Sequence, residues 1–535
     1  MYILKLEKID KELILTKTFG RQVIKANLTE KQLLSGTPAE VESRVLDILE
    51  NSETLHTKNK EETIYLKDFL FGKQDIYTNK QKYTRTEINN KTVENWAYAM
   101  VDFKKTYLLG KPIQYVLLNE SESKEIASLN KYARYAKKQA KDLMLYEDVL
   151  ATGRGFRFTD VNDSLDSDED KAPFEIINAD AAYTEVVYSN KLGNEQLLSY
   201  IETPMEYIDS QLNEKTGKYE DVSKTYTEYT VYLRDRVIVV SDKTGEYKVI
   251  DRIPLLTKYH RITEYYTNIK RISLIELGKD LFNDINYLES MDKDDMEQFV
   301  NAIMVFTNAE IDEQGLKNMK KLGAVCINST ENKRASIDLL QGRLNATDTQ
   351  TYYNRLLTSL HQILGIPRAT DTGTVTSGDT GKAKMTGQGF TSAGIRIEGE
   401  QCMFEMCDME ALKCILDICR TTADSEVKEL KASQVDAIFQ RDNTDNLLIK
   451  TQALQNLYSC DIPRNVANAI IGLFSDPNSV TTSQEDLFGP QVSQQGTKTS
   501  ENGNLLENSL DTSNKDTQNQ NKEVKKIIEK DNQGQ

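Results

Sequence analysis

An α+β fold built from several substructures is what this sequence predicts, and three observations carry the prediction. The chain has 535 residues, far beyond what one small core needs, so roughly two to four substructures are expected. Apolar residues recur at helical spacing before residue 152 and again after residue 274, while the stretch between reads as strands. Apolar residues make up 39% and charged residues 28%, a balance that supports folded cores over most of the length.

Residues 1–60 are mixed and charged, with one helical patch at Val45, Ile48 and Leu49. A stronger helix follows Asn89-Asn90, carried by Val93, Trp96, Ala97, Met100, Val101 and Leu108 until Gly110 and Pro112 stop it. A second runs from Ser121 to Ala151, and Lys131, Arg134, Lys138 and Lys141 share one of its faces. That face is either solvated or a docking strip for an acidic partner. From Phe156 to Lys258 β-branched and aromatic residues alternate or cluster, with turns at Lys215-Thr216-Gly217 and Lys243-Thr244-Gly245. The acidic stretch Asp163 to Asp170 lacks the central Gly and closing Glu of an EF-hand and reads as an exposed loop.

Helix returns over 274–302, where Leu281, Phe282, Ile285 and Leu288 make one stripe and Met296, Phe299 and Val300 continue it. The acidic set Asp292, Asp294, Asp295 and Glu297 stands among them. A short α/β section follows: apolar Ala302 to Phe306, a small helix around Leu316 to Lys321, then Gly323 to Ile327. Another amphipathic helix spans Asp348 to Leu364, ended by Gly365 and Pro367. A Gly/Thr-rich loop over 369–389 then leads into a long helix from about Ala393 to Cys419. Residues 430–475 read as a small α-rich unit, and 476–535 as a polar, disordered tail.

Composition also restricts the chemistry. Four of the six cysteines, Cys402, Cys407, Cys414 and Cys419, lie at spacings of five, seven and five with no histidine nearby. Zinc ligands come in closer pairs, so these are expected to be free thiols packed as small hydrophobes. The three histidines, His56, His260 and His361, leave most metal-hydrolase and triad schemes without their usual base. His361 lies among leucines and is expected to pack. In the loop, Gly381-Lys382 is followed by Ala383 and preceded five positions earlier by Thr376, so the Walker A pattern fails twice. No catalytic constellation, cofactor or metal is expected. The net charge of −16 opposes a protein that grips DNA tightly. Either DNA is irrelevant, or the protein meets it without holding it. No apolar run is long enough for a membrane span, and MYILKLEKID has no secretory h-region, so the cytoplasm of the producing cell is the expected compartment.

Four short patterns, in a fixed order, add to this reading. The first is Tyr65-Leu-Lys-Asp-Phe-Leu-Phe-Gly72-Lys-Gln-Asp-Ile76, then Asn89-Asn90, then Val101-Asp102 through Tyr107, Gly110, Pro112 and Tyr115. The second is Ala151-Thr-Gly-Arg-Gly-Phe156. The third is Ile253-Pro254 leading to Leu281-Phe-Asn-Asp-Ile-Asn286 and Ser290. The fourth is Leu364-Gly-Ile-Pro367 followed by Ser377-Gly378 and Gly381-Lys-Ala-Lys384. Over roughly residues 60–475 this order resembles the portal proteins of tailed bacteriophages, in the form typical of siphophages of Gram-positive hosts. The sequence departs from the family in the loop, where Asp379-Thr380 separates Gly378 from Gly381. Gly387, Gly389, Gly394 and Gly399 are also unusually many for a helix start, so the pattern does not fix where the loop ends.

The resemblance implies a portal fold with a mixed α/β wing, a two-helix stem, a small α/β clip, a long kinked helix and an α-helical crown. Residues 1–60 would extend the wing and 61–273 form it; 274–302 would be the first stem helix, 303–346 the clip and 347–365 the second stem helix. The tunnel loop would be 366–385, the long helix and its return to the wing 386–428, the crown 429–475 and the tail 476–535. It implies a virion protein at one capsid vertex, assembled in the host cytoplasm as a ring of about twelve copies. Partners would be the terminase, the major capsid and scaffolding proteins, head-completion adaptors and transiently bound double-stranded DNA. Arg368, Thr372, Thr374, Thr376, Lys382 and Lys384 would face that DNA from the loop, and Asp284, Asp292 and Asp295 from the stem. The rival classes are another virion protein, such as a minor capsid or connector subunit, and a nucleotide-driven translocase.

Overall fold

The computed structural model describes residues 20–82, 86–118, 124–162, 171–212, 219–300, 303–307, 336–340, 346–368, 390–439, 447–460 and a few positions up to 471. All of them belong to one unit, Met1–Asp476. The sequence's turn at Lys215 to Gly217, its acidic stretch Asp163 to Asp170 and its tail lie outside the described residues.

The chain opens with strand β1 (Ile24–Ala26), helix α1 (Glu30–Leu34) and helix α2 (Pro38–Leu70). Both helices begin with a capping box, Thr29 with Gln32 and Thr37 with Glu40, and Pro38 occupies the first helical turn of α2. The sequence suggested only a patch at Val45, Ile48 and Leu49; the helix runs on for 33 residues. Its front half packs Val45, Ile48 and Leu49 on a sheet, and its back half packs Leu66, Phe69 and Leu70 in a helical core. Between these the buried positions are Ser52, His56, Asn59 and Thr63. Burial keeps the helical period there while hydrophobicity does not, which is why the apolar pattern faded.

After α3 (Ile76–Asn79), helix α4 (Trp96–Leu109) starts at Asn95, whose side chain accepts from the Tyr98 N–H. Strand β2 (Gln114–Leu117) follows, then α5 (Lys124–Tyr135) and α6 (Lys138–Thr152). The single helix expected from Ser121 to Ala151 is thus two, divided at Lys137, which adopts a left-handed conformation with φ 54°. Lys138 accordingly leaves the Lys131, Arg134 and Lys141 face and is buried. Gly153 closes α6 at φ 89°, and a Cβ there would run into the Arg271 carbonyl.

Strands β3 (Gly155–Val161), β4 (Phe174–Ala179), β5 (Thr184–Ser189), β6 (Gln196–Leu212), β7 (Tyr219–Tyr232), β8 (Arg236–Ser241), β9 (Lys248–Pro254) and β10 (Ile262–Tyr265) fill the expected region. Six form a sheet in the order β1-β5-β6-β7-β8-β9, with β1 parallel to β5 and the rest antiparallel; β10-β3-β4 form a second. The turn at Lys243 to Gly245 is present, with Gly245 at φ 79° donating its N–H to Asp242 O at 2.7 Å. Pro254, which cannot donate to a ladder, lies on the outermost strand β9.

Helix α7 (Leu274–Val300) and helix α8 (Ala346–Leu364) flank the antiparallel pair β11 (Ile303–Thr307) and β12 (Ser336–Leu340). The sequence offered Gly323 to Ile327 as the second apolar segment; that stretch lies outside the described residues, and Ser336–Leu340 is the strand that pairs with β11. Helix α9 (Phe390–Thr421) is the expected long helix, extended at both ends. Strand β13 (Val435–Ile438) pairs antiparallel with β2, before α10 (Leu447–Ser459). Residues 430–475, expected to be α-rich, thus include one short strand near their start, with Val435 and Ala437 buried in the main core beside β2. We expect Gly153→Ala to cost about 2 kcal/mol in urea denaturation of the subunit, from the left-handed φ and the carbonyl clash together.

Candidate functional site

Helices α7 and α8 pack along Phe282, Ile285, Leu356, Leu357 and Leu360, all buried. Gly278 allows the close approach, since a Cβ there would lie 2.8 Å from the Phe282 ring and 3.1 Å from a Leu360 methyl. Residues 74–82 and 86–94 lie along α7 as a polar strap. Asn286 donates to Gln74 and accepts from the Glu94 N–H at 2.8 Å; Ser290 Oγ accepts from the Thr92 N–H at 2.9 Å. At the far end Asp294 takes Lys80 Nζ at 2.7 Å, the Asn90 N–H at 2.7 Å and Asn90 Nδ2 at 3.0 Å. Burial opposes ionisation of this fully enclosed carboxylate, yet Lys80 and Asn90 hold it down at about 2.

The acidic set of this helix therefore divides. Asp294 faces inward, while Asp284 and Asp295 are exposed and Asp292 is half-buried. Partial burial and the neighbouring Asp280 raise the Asp284 carboxyl above its ordinary range. Glu289 is likewise raised, by partial burial first and then by Glu94 and Asp292. Arg368, just past α8, folds back on it: Nη1 donates to Thr358 Oγ1 at 2.8 Å and Nη2 to Asn354 Oδ1 at 2.8 Å. The structure thus sets Asp284, Asp292 and Asp295 on one helix and Arg368 against its neighbour. Thr372, Thr374, Thr376, Lys382 and Lys384 lie outside the described residues.

Sequence reasoning missed the buried ionic groups behind this pair. Asp408 of α9 accepts Tyr115 Oη at 2.7 Å and Tyr265 Oη at 2.9 Å, and pairs with Lys138 Nζ and Arg157 Nη1, each at 3.1 Å. Asp142 pairs with Lys138 Nζ at 2.8 Å and with Arg157 Nη2. Burial pushes against ionised Asp408, but Lys138 and Arg157 hold its carboxyl below the usual range. One available signal was Arg157 itself, a charge between Phe156 and Phe158 in a strand pattern. A second group joins α2 to the larger sheet, His56 to Glu202 at 2.9 Å and Lys60 to Glu202 at 2.7 Å, while Arg154, between α6 and β3, pairs with Glu185 of β5 at 2.6 Å. Burial works against His56 protonation, but Glu185 and Glu202 outweigh it and raise its pKa.

Among the described residues no group of three or more His, Cys, Asp or Glu could hold a metal. Burial pushes the thiols of Cys407, Cys414 and Cys419 up to about 12, which makes them poor nucleophiles. His361 packs edge-on to Trp96. Among the described residues no helix is long and apolar enough to cross a membrane.

The family model for phage portal protein, SPP1 Gp6-like, matches residues 49–486. The chain belongs to this portal family. No curated protein matches it. Portal proteins are structural proteins of the bacteriophage virion, ring oligomers of the capsid that serve DNA packaging, and the α+β fold accords with that assignment. The sequence resemblance started near residue 60 and ended near 475, inside the matched span. Within this portal chain, Asp294 contributes stability that is present above the ordinary carboxylate range and lost as pH falls through about 2. We expect Asp294→Asn to remove about 1–2 kcal/mol at neutral pH and to make acid unfolding of the subunit shallower below pH ~4.

Proposed function

We propose that this portal subunit forms a closed ring of about twelve copies at one capsid vertex, through which DNA is packaged and later ejected. The observation that carries the reading is the family match over residues 49–486 together with a helix pair, α7 and α8, that flanks the small β11-β12 unit. In this reading α7 and α8 are the stem, 303–346 the clip, 366–385 the tunnel loop, α9 the helix behind it, and the residues up to 273 the wing. The pairing of β13 with β2 argues for starting the crown after residue 438 rather than at 429. The ring docks the terminase, head-completion adaptors, capsid and scaffolding proteins.

A conduit works best when it does not hold its cargo. Ring symmetry repeats every side chain, so the exposed carboxylates of Asp284 and Asp295 become rings of negative charge that discourage adhesion of phosphate. Asp292 adds to this only in part, being half-buried. Lys382 and Lys384, with Thr372, Thr374 and Thr376 of the same loop, supply a single collar of weak, averaged contacts around the DNA. Arg368 braces the start of that loop through Thr358 and Asn354.

Reversing charge at Lys382 and Lys384 (both to Glu) is expected to lower DNA packaged per procapsid at least severalfold; unchanged packaging and retention would sink the loop assignment. The conduit is also expected to have no motor of its own. Purified rings should show no DNA-stimulated ATP hydrolysis above buffer in a phosphate-release assay, because the loop satisfies neither end of the Walker pattern.

A further inference from the structure

A cleft of about 990 Å³ opens where the C-terminal half of α9 meets the run 428–434. One wall is the face of α9 that presents Lys413, Leu416 and Arg420 at spacings of three and four, hence on one side of the helix. The opposite wall carries Lys428 and Lys431, both exposed, and Leu117 and Tyr259 give it an apolar surface. Four cations thus meet two carboxylates, Glu125 and Glu429. Glu125 is directed at the main chain, accepting the Leu430 N–H at 2.7 Å and the Glu429 N–H at 3.2 Å. The surplus in the cleft is positive, on a chain whose net charge is −16.

Several of these cations are braced rather than loose. Arg420 donates Nη2 to Leu430 O at 2.6 Å, and Lys428 donates to Thr422 O. Both contacts are to neutral carbonyls, which leave the positive charge uncompensated and fixed in place. Lys413 pairs with Glu410 at 2.5 Å, an exposed contact between neighbouring turns that is easily exchanged.

We propose that this cleft binds an acidic peptide segment of another protein, with carboxylates on Lys413, Arg420, Lys428 and Lys431 and an apolar side chain against Leu117 and Tyr259. The shape favours a peptide over duplex DNA. A duplex offers phosphates on a convex rod and nothing apolar, so the Leu117 and Tyr259 surface would go unused, whereas an extended chain carries both chemistries. The cleft would take such a peptide whether or not α7 and α8 line a DNA channel.

The test is fluorescence anisotropy on the assembled full-length protein with three labelled probes: a short peptide alternating Glu and Leu, the same peptide with Gln for Glu, and a double-stranded oligonucleotide. The Glu/Leu peptide is expected to bind, more weakly as salt rises, and the Gln/Leu peptide to bind at least about tenfold more weakly. The exposed pair Lys413→Glu with Lys431→Glu should weaken the Glu/Leu peptide at least about tenfold while the thermal melt stays unchanged. Tyr259→Ser should weaken it by about threefold or more without altering the salt slope. Equal binding of both peptides, no effect of the double substitution, or no binding of the Glu/Leu peptide at low salt would overturn the proposal. So would oligonucleotide binding that the double substitution abolishes while the peptide is ignored, since the cleft would then be a phosphate contact.

Discussion

The rest of this fold depends on four charges buried together: Lys138, Asp142, Arg157 and Asp408. They come from α6, β3 and α9, and Tyr115 of β2 and Tyr265 of β10 complete the set with hydrogen bonds to Asp408. Taking any one of these ions out of water alone would cost several kcal/mol, and no hydrophobic term nearby is large enough to absorb four such penalties separately. The group is tolerable because two cations meet two anions and both carboxylates are multiply hydrogen-bonded. Breaking it from one side leaves an uncompensated charge, at about 3–5 kcal/mol. Its consequence is geometric: α9 can sit against the smaller sheet in only one register, the one that brings Asp408 to Arg157.

The same logic is repeated along the molecule. His56 and Lys60 with Glu202 join α2 to the larger sheet at the place where the helix passes from one apolar core to the other, and Arg154 with Glu185 fastens the α6–β3 junction to β5. Arg271 with Glu264 and Tyr188 joins the smaller sheet to β5. Asp294 with Lys80 and Asn90 fastens the strap to α7. Apolar packing supplies the bulk of the stability, but it is non-directional. The ionic groups stand at the junctions between elements, where direction matters.

That division explains what could be read in the sequence. The β region between α6 and α7, the two helices α7 and α8, and the long helix α9 announce themselves by apolar period, whereas β1, in the mixed and charged first sixty residues, does not. Helix α2 was only partly legible, because Ser52, His56, Asn59 and Thr63 occupy its buried face. The break at Lys137 was illegible for a related reason: Lys138 reads as one more surface lysine until Asp142 and Asp408, the latter 270 positions later, are known to face it. Pairing of β13 with β2 is equally long-range. The inward turn of Asp294 within the acidic run of α7 was not legible either, since only the strap explains it.

The interior clusters also bear on the proposed role. Each is close to neutral, two charges against two around Asp408 and one against one between Arg271 and Glu264. The net charge of −16 therefore lies outside them. A subunit that used its acidic residues to hold itself together would lose stability whenever a polyanion approached. Here the carboxylates of these clusters are already matched and buried, so an approaching phosphate backbone acts on others, Asp284 and Asp295 among them. Repulsion at such a surface costs the frame nothing, because it acts on charges whose displacement leaves the buried pairs intact. A DNA conduit needs that separation: a rigid interior fixed by short-range ion pairs, and an exterior free to repel over a Debye length of about 8 Å.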